Sequence, residues 1–150
     1  MKRHTALYSL SHDHHQGLIL AQQIKKGAPQ YKGMLSTVEG KRDYTIQFYN
    51  SELKRHFANE EENLFPAVKN KNAELERKIA EIISEHRKME TLIRDLEKTV
   101  RFENVLDELG HLLEKHIRKE ERELFVEIEK VLNEKELTDI SQKITESRKQ

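Results

Sequence analysis

The sequence predicts an all-α fold: an antiparallel, up-down-up-down four-helix bundle with a short C-terminal helix. Three observations predict it. Only two prolines and five glycines interrupt 150 residues that are rich in Glu, Lys and Leu. Apolar residues recur at helical spacing through most of the chain. A ten-residue phrase also occurs twice, 60 residues apart, on the second and fourth of the helices that this spacing defines. The length suits one domain with a substantial core. Residues 1–150 are therefore read as a single domain, with the bundle at about 7–132 and the C-terminal helix at about 134–148.

Each element has its own signals. The first helix is expected from about Ser11 to Lys26, with Leu18, Ala21 and Ile24 inward. Gly27 and Pro29 end it, and Gln30 to Gly33 form a loop. Ser36 with Glu39 resembles a capping box for the second helix. That helix carries Ile46, Tyr49, Leu53 and His56, and Pro66 ends or kinks it. Asn72 is the expected N-cap of the third helix, which bears Leu75, Ile79, Ile82, His86, Met89 and Ile93. The fourth starts near Asn104 and runs through Leu106, Leu109, Leu113, His116 and Leu124 to about Leu132. Asn133 with Glu136 caps the short fifth helix, whose apolar residues are Leu137, Ile140 and Ile144.

Composition narrows the function classes. The 27 basic and 27 acidic residues balance, which argues against general affinity for nucleic acid or anionic membrane. There is no cysteine, so any metal must be held by histidine nitrogen and carboxylate oxygen. No segment approaches the length that spans a bilayer, and no apolar run follows the basic residues near the N-terminus. A cytoplasmic location is expected.

The repeated phrase carries the chemistry. Its copies are His56-Phe57-Ala58-Asn59-Glu60-Glu61-Glu62-Asn63-Leu64-Phe65 and His116-Ile117-Arg118-Lys119-Glu120-Glu121-Arg122-Glu123-Leu124-Phe125. In both, His is followed by Glu at +4 and +5, Leu at +8 and Phe at +9. A His and a Glu four apart project from one helix face and can chelate. Two such pairs facing each other make a site for two metals.

Helical phase selects the partners from the other two helices. His86 has Ile79, Ile82 and Ile93 at −7, −4 and +7, so it points inward. At the same offsets His14 has Leu7, Leu10 and Ala21. His15, the main competitor, has Tyr8, Ser11 and Gln22, and His12 has Thr5, Tyr8 and Ile19. Phase therefore favours His14, and Asp13-His14 aligns with Glu85-His86. The expected ligand set is His14, His56, Glu60, His86, His116 and Glu120. His15, His12 and Glu90 are alternative or supporting groups. Each metal would take two histidines and share both carboxylates, leaving room for a bridging oxygen and an open position. Such a donor set suits iron or manganese, with zinc as a further option. Ferritin-like bundles instead use Glu-x-x-His on two helices and lone Glu on the others. Glu61 and Glu121 are read as solvated or supporting groups, His111 as a surface residue and His4 as part of a frayed terminus. Tyr8 and Tyr49 are within conceivable reach of the site, and His12 and His15 are placed at an entrance or just outside the ligands.

Asp-His-His at 13–15, His-Phe-x-x-Glu-Glu-x-x-Leu-Phe-Pro at 56–66, Glu-His at 85–86 and His-x-x-x-Glu-Glu-x-x-Leu-Phe at 116–125 resemble the hemerythrin-like, or HHE cation-binding, domain family. The resemblance spans about residues 7 to 130. It implies a carboxylate-bridged, non-haem centre of two oxo- or hydroxo-bridged iron ions in a four-helix bundle, with His56, Glu60, His86, His116 and Glu120 as ligands beside a histidine of the Asp-His-His segment. Oxygen-carrying members have His-x-x-x-His on the third helix and an Asp five residues after the last His. Here Glu90 stands four after His86, and Glu120 four after His116. The resemblance thus points away from a simple O2 carrier and towards binding of, or reaction with, O2, NO or peroxide, for sensing, repair or detoxification. Iron storage or delivery and a structural bundle with a protein partner are the competing classes. No separate catalytic dyad is evident.

Overall fold

The computed structural model describes residues 2–28 and 36–149, and every regular element among them is helical. A 3₁₀ turn, Thr5–Leu7, leads into α1, Tyr8–Ile24. The second helix, α2, covers 38–68 in segments: Val38–Phe48, a π turn at Tyr49–Leu53, Lys54–Asn59, a second π turn at Glu60–Leu64 and a closing 3₁₀ turn at Phe65–Val68. α3 is Ala73–Lys98. α4 comprises Phe102–Lys119, a π turn at Glu120–Leu124 and Phe125–Val131. α5 is Glu134–Ser147. No helix is long and apolar enough to cross a membrane among the described residues.

Local chemistry explains the boundaries. Asn72 accepts from the Leu75 amide, as its N-cap reading requires. Asn133 and Glu136 form the reciprocal capping box. The cap of α2 is Thr37, not Ser36: its hydroxyl accepts from the Gly40 amide at 3.0 Å. α1 starts three residues earlier than expected, because the turn at Thr5–Leu7 is pre-formed by His4, whose Nδ1 accepts from the Ala6 amide. His4 is therefore anchored rather than frayed, and its Nε2 lies 2.9 Å from Glu134. α1 ends at Ile24, and Gly27 follows at φ 74°, a left-handed conformation that favours glycine. Pro29 and the loop expected at Gln30 to Gly33 lie outside the described residues. α4 starts at Phe102, two residues before Asn104. Pro66 occupies the terminal 3₁₀ turn of α2, where its missing N–H is least costly.

Two apolar clusters form the core. One gathers Leu7 and Leu10 of the start of α1, Leu64 and Val68 of the end of α2, Leu75 to Ile82 of the start of α3, Leu124 to Ile128 of the end of α4, and the inward face of α5. The other gathers Leu20 to Ile24, Phe48 to Phe57, Met89 to Leu96 and Phe102 to Ile117. Each fully buried Leu or Phe contributes about 2 kcal/mol. On α1, Leu20 is buried and Leu18 only partly so, which corrects the expected inward set. α1 and α4 approach closely through two glycines. A Cβ on Gly110 would lie 3.0 Å from the Ala21 carbonyl oxygen, and one on Gly17 would lie 2.8 Å from Cδ1 of Ile117. Between the two clusters, each of α1 to α4 carries its buried polar residues.

Candidate metal centre

The two copies of the repeated phrase share a local distortion that aims their side chains. In each, a π turn begins at the glutamate four residues after the histidine. A π turn holds one residue more than an α turn, and an α-helix rotates by about 100° per residue. Beyond the turn each side chain takes the bearing of its predecessor. Leu64 and Leu124, at +8, thus point where a +7 residue would, in line with the histidine on the inward stripe. Both leucines and the phenylalanines after them are buried.

The structure brings His14, His56, Glu60, His86, His116 and Glu120 together, all buried. They form two overlapping quartets, His14–His56–Glu60–Glu120 and Glu60–His86–His116–Glu120, each with ligand atoms within 4.8 Å of one another. Both glutamates belong to both. His56 Nε2 lies 3.4 Å from Glu60 Oε1, His86 Nε2 3.1 Å from the same oxygen, and His116 Nε2 2.6 Å from Glu120 Oε1. His14 Nε2 is 3.4 Å from Glu120 Oε2 and 3.0 Å from His56 Nε2. Phe57 stacks on His86 at 3.9 Å between ring centroids, and Phe125 stacks on His14 at 5.2 Å.

His14 prevails over its neighbours because α1 is already regular from Tyr8. Tyr8, Ile19, His12 and His15 all lie on its exposed side. His12 lines a polar cleft of about 360 Å³ with Asp13, Tyr44, Gln47 and Glu52, and buried His56 lies on its wall. Glu90 stands outside both quartets, 3.3 Å from Arg87 Nη1 and beside Tyr49, whose phenol burial and that carboxylate raise. Tyr8 and His111 are exposed.

Of the groups that hold the histidines, the sequence reading had Glu61 and Glu121 as solvated or supporting and missed Asp13 and Glu85. Each Nδ1 donates to a carboxylate from a different helix. His56 pairs with Asp13 at 2.9 Å, His86 with Glu61 at 2.6 Å, His116 with Glu85 at 2.7 Å and His14 with Glu121 at 2.6 Å. The pairs run α1 to α2, α2 to α3, α3 to α4 and α4 back to α1, a closed ring. Each carboxylate meets a cation in turn: Arg148 on Asp13, Arg87 on Glu61, Lys119 on Glu85 and Arg3 on Glu121. The signal was adjacency, because every one of these carboxylates is the sequence neighbour of a residue in the quartets. With Nδ1 protonated, each Nε2 turns its other role inward.

Inside the ring the bonding is incomplete. Both oxygens of Glu60, both of Glu120, and Nε2 of His86 and of His116 are buried without a hydrogen-bond partner. The short approaches of imidazole and carboxylate there lack hydrogen-bond direction. Unpaired buried carboxylates cost several kcal/mol each, and two arrangements relieve that cost. One is a proton on the imidazoles. Burial opposes the charged form of His14, but Glu120, Glu121 and Glu60 outweigh it and raise its pKa to about 10. Burial likewise opposes His86, and Glu120, Glu60 and Glu61 raise it to about 11. His56 and His116 are raised against burial by Glu60 and Asp13, and by Glu120 and Glu85. The other arrangement is a cation. Four Nε2 atoms and two shared carboxylates supply the borderline and hard donors that first-row metals prefer, so the residues fit a metal site.

Comparison with known proteins agrees with this geometry. No curated protein and no solved structure matches the chain. The model of one family, the hemerythrin HHE cation binding domain, matches residues 5–128. The chain belongs to the hemerythrin HHE cation-binding domain family.

Proposed function

We propose that the two quartets hold two iron ions, and that the protein uses them to bind or react with O2, NO or peroxide in sensing, repair or detoxification. The observation that supports this most is the sharing of Glu60 and Glu120 by both histidine pairs, with all four of their oxygens buried and unpaired. His14 and His56 would hold one ion, His86 and His116 the other. When bound, such a pair would supply redox-active metal for binding or reacting with a diatomic or peroxidic ligand.

The chain's own residues supply the rest. The ring carboxylates fix each imidazole's tautomer and orientation and increase its basicity. The stacked Phe57 and Phe125 and the two apolar clusters exclude bulk water. The His12–Tyr44 cleft offers small polar molecules a path towards His56. Four helices arranged antiparallel, up-down-up-down, accord with the way α1 to α4 meet the two clusters in alternating order.

The test is metal content and spectrum. Protein from iron-supplemented cells is expected to carry two irons per chain, with near-ultraviolet oxo-to-iron bands that azide perturbs, and NO after reduction. Two manganese or zinc ions without such bands would keep the site and remove the O2 chemistry. Iron that leaves under mild chelation would favour storage or delivery. No bound metal after anaerobic reconstitution would leave a structural bundle.

A further inference from the structure

The two halves of the outer ring are built differently. Aligned residue for residue, the repeated phrase places Lys119 of the second copy where the first has Asn59. Lys119 Nζ holds Glu85 at 2.5 Å, and Glu85 holds Nδ1 of His116. Asn59 has no charge and cannot serve Asp13, the carboxylate on His56, in that way. The cation there is Arg148, just past α5. Its Nη2 lies 2.6 Å from Asp13 Oδ2 and its Nη1 3.4 Å from Oδ1. Ser147, the last residue of α5, donates to Asn59 Oδ1 at 2.8 Å. The end of α5 thus reaches both a carboxylate that lacks a cation from the four long helices and the residue standing where that cation would be.

The contrast extends to the whole half. Carboxylates behind His86 and His116 draw their cations from α3 and α4, as Arg87 and Lys119. Those behind His14 and His56 draw theirs from the chain's two ends, as Arg3 and Arg148. Residues 147–148 lie beyond the 5–128 family match. The Arg148–Asp13 pair is largely shielded, with side chains 22% and 14% exposed, so its attraction is less screened than that of a surface pair.

We propose that Arg148 is a positioning residue of the metal centre: through Asp13 it orients His56, and so sets how firmly the His14–His56 half keeps its metal. This rests on the metal-binding reading above. Arg148 touches none of the six candidate ligands, and the His86–His116 half does not depend on it. The C-terminal helix, by docking or lifting, would tune one half of the centre and leave the other alone.

The test uses the full chain loaded anaerobically with iron(II) and challenged with a chromogenic iron(II) chelator. In Arg148→Ala one of the two irons is expected to leave about tenfold faster or more, and the other at the wild-type rate. Arg148→Lys should restore most of the retention. In a His56→Ala background, Arg148→Ala should leave the release of the remaining iron unchanged. Lys119→Ala should speed the other iron, which separates the halves. If Arg148→Ala loses helicity, Asp13→Asn makes the same test with the side-chain shape kept. Release of both irons at wild-type rates, or equal acceleration of both, overturns the proposal while two irons on the wild type keep the metal-site reading. A wild-type chain that takes up no iron overturns both.

Discussion

Nδ1 of His14, on α1, donates to Oε2 of Glu121, on α4, across 2.6 Å. Glu121 follows Glu120, whose carboxylate faces His14 from the other side at Nε2. Adjacent residues of one helix therefore grip a histidine of another at both ring nitrogens. Ser11 adds a hydroxyl to Glu121 at 2.8 Å. Glu121→Gln keeps the shape of this grip and removes its charge. It is expected to weaken metal binding about tenfold or more, as read by competition titration against a chelator. An unchanged affinity would reduce the ring to packing.

Metal removal should be visible in stability. At a thousandfold excess over Kd, a bound metal stabilises the fold by about 4 kcal/mol. For a domain of this size that corresponds to a Tm rise of about 10 °C. His56→Ala combined with His116→Ala takes one histidine from each quartet, so calorimetry should show no metal-dependent rise in that variant.

Metal uptake should also release protons. His14 and His86, raised to about 10 and 11, carry protons at neutral pH in the metal-free chain. Metal requires the neutral ring nitrogen, so affinity falls as the pH is lowered. The metal-free fold shows the opposite trend. A raised folded pKa stabilises fully below the unfolded value, about 6.5, and the benefit is lost as pH climbs through about 10 to 11. Titration calorimetry in buffers of different ionisation enthalpy counts the protons. A count of zero at pH 7 would contradict protonated His14 and His86 in the metal-free chain.

An acid limb of stability should come from Glu114, away from the ring. Lys25 and then Arg118 hold its carboxylate down to about 2, and Gln22 donates to it at 2.7 Å. A depressed pKa stabilises above the ordinary value, 4.5, and the contribution is lost as pH falls towards 2. The group is partly solvated, so Glu114→Gln should cost only about 0.5–1 kcal/mol at pH 7. Urea unfolding of both proteins should show that gap closing as the pH drops below about 4.5.

Phase made the inner residues legible. Leu7, Leu10 and Ala21 are buried around His14, as their −7, −4 and +7 spacing indicates, whereas Tyr8 and Gln22, the neighbours of His15, are exposed. The caps at Asn72 and Asn133 were equally readable, because each acts on its own backbone within three residues. Asp13 and Glu85 escaped because each supports a histidine on another helix, a relation with no local periodicity. Arg148 escaped for the same reason, across 135 positions of chain. The π turns left a trace, the +8 and +9 spacing of Leu and Phe, but a fixed 3.6-residue period has no means of reading it.

The two apolar clusters have no residue in common, and what lies between them is a floor of ionisable groups. A molecule partitioned in this way can open at one end while the other stays shut, since local unfolding follows cooperative units. Two cations, held between them by all four long helices at that floor, would couple the ends into one unit. Amide exchange of Leu20 to Ile24 would then slow together with that of Leu64 to Val68, on opposite sides of the floor, when metal binds.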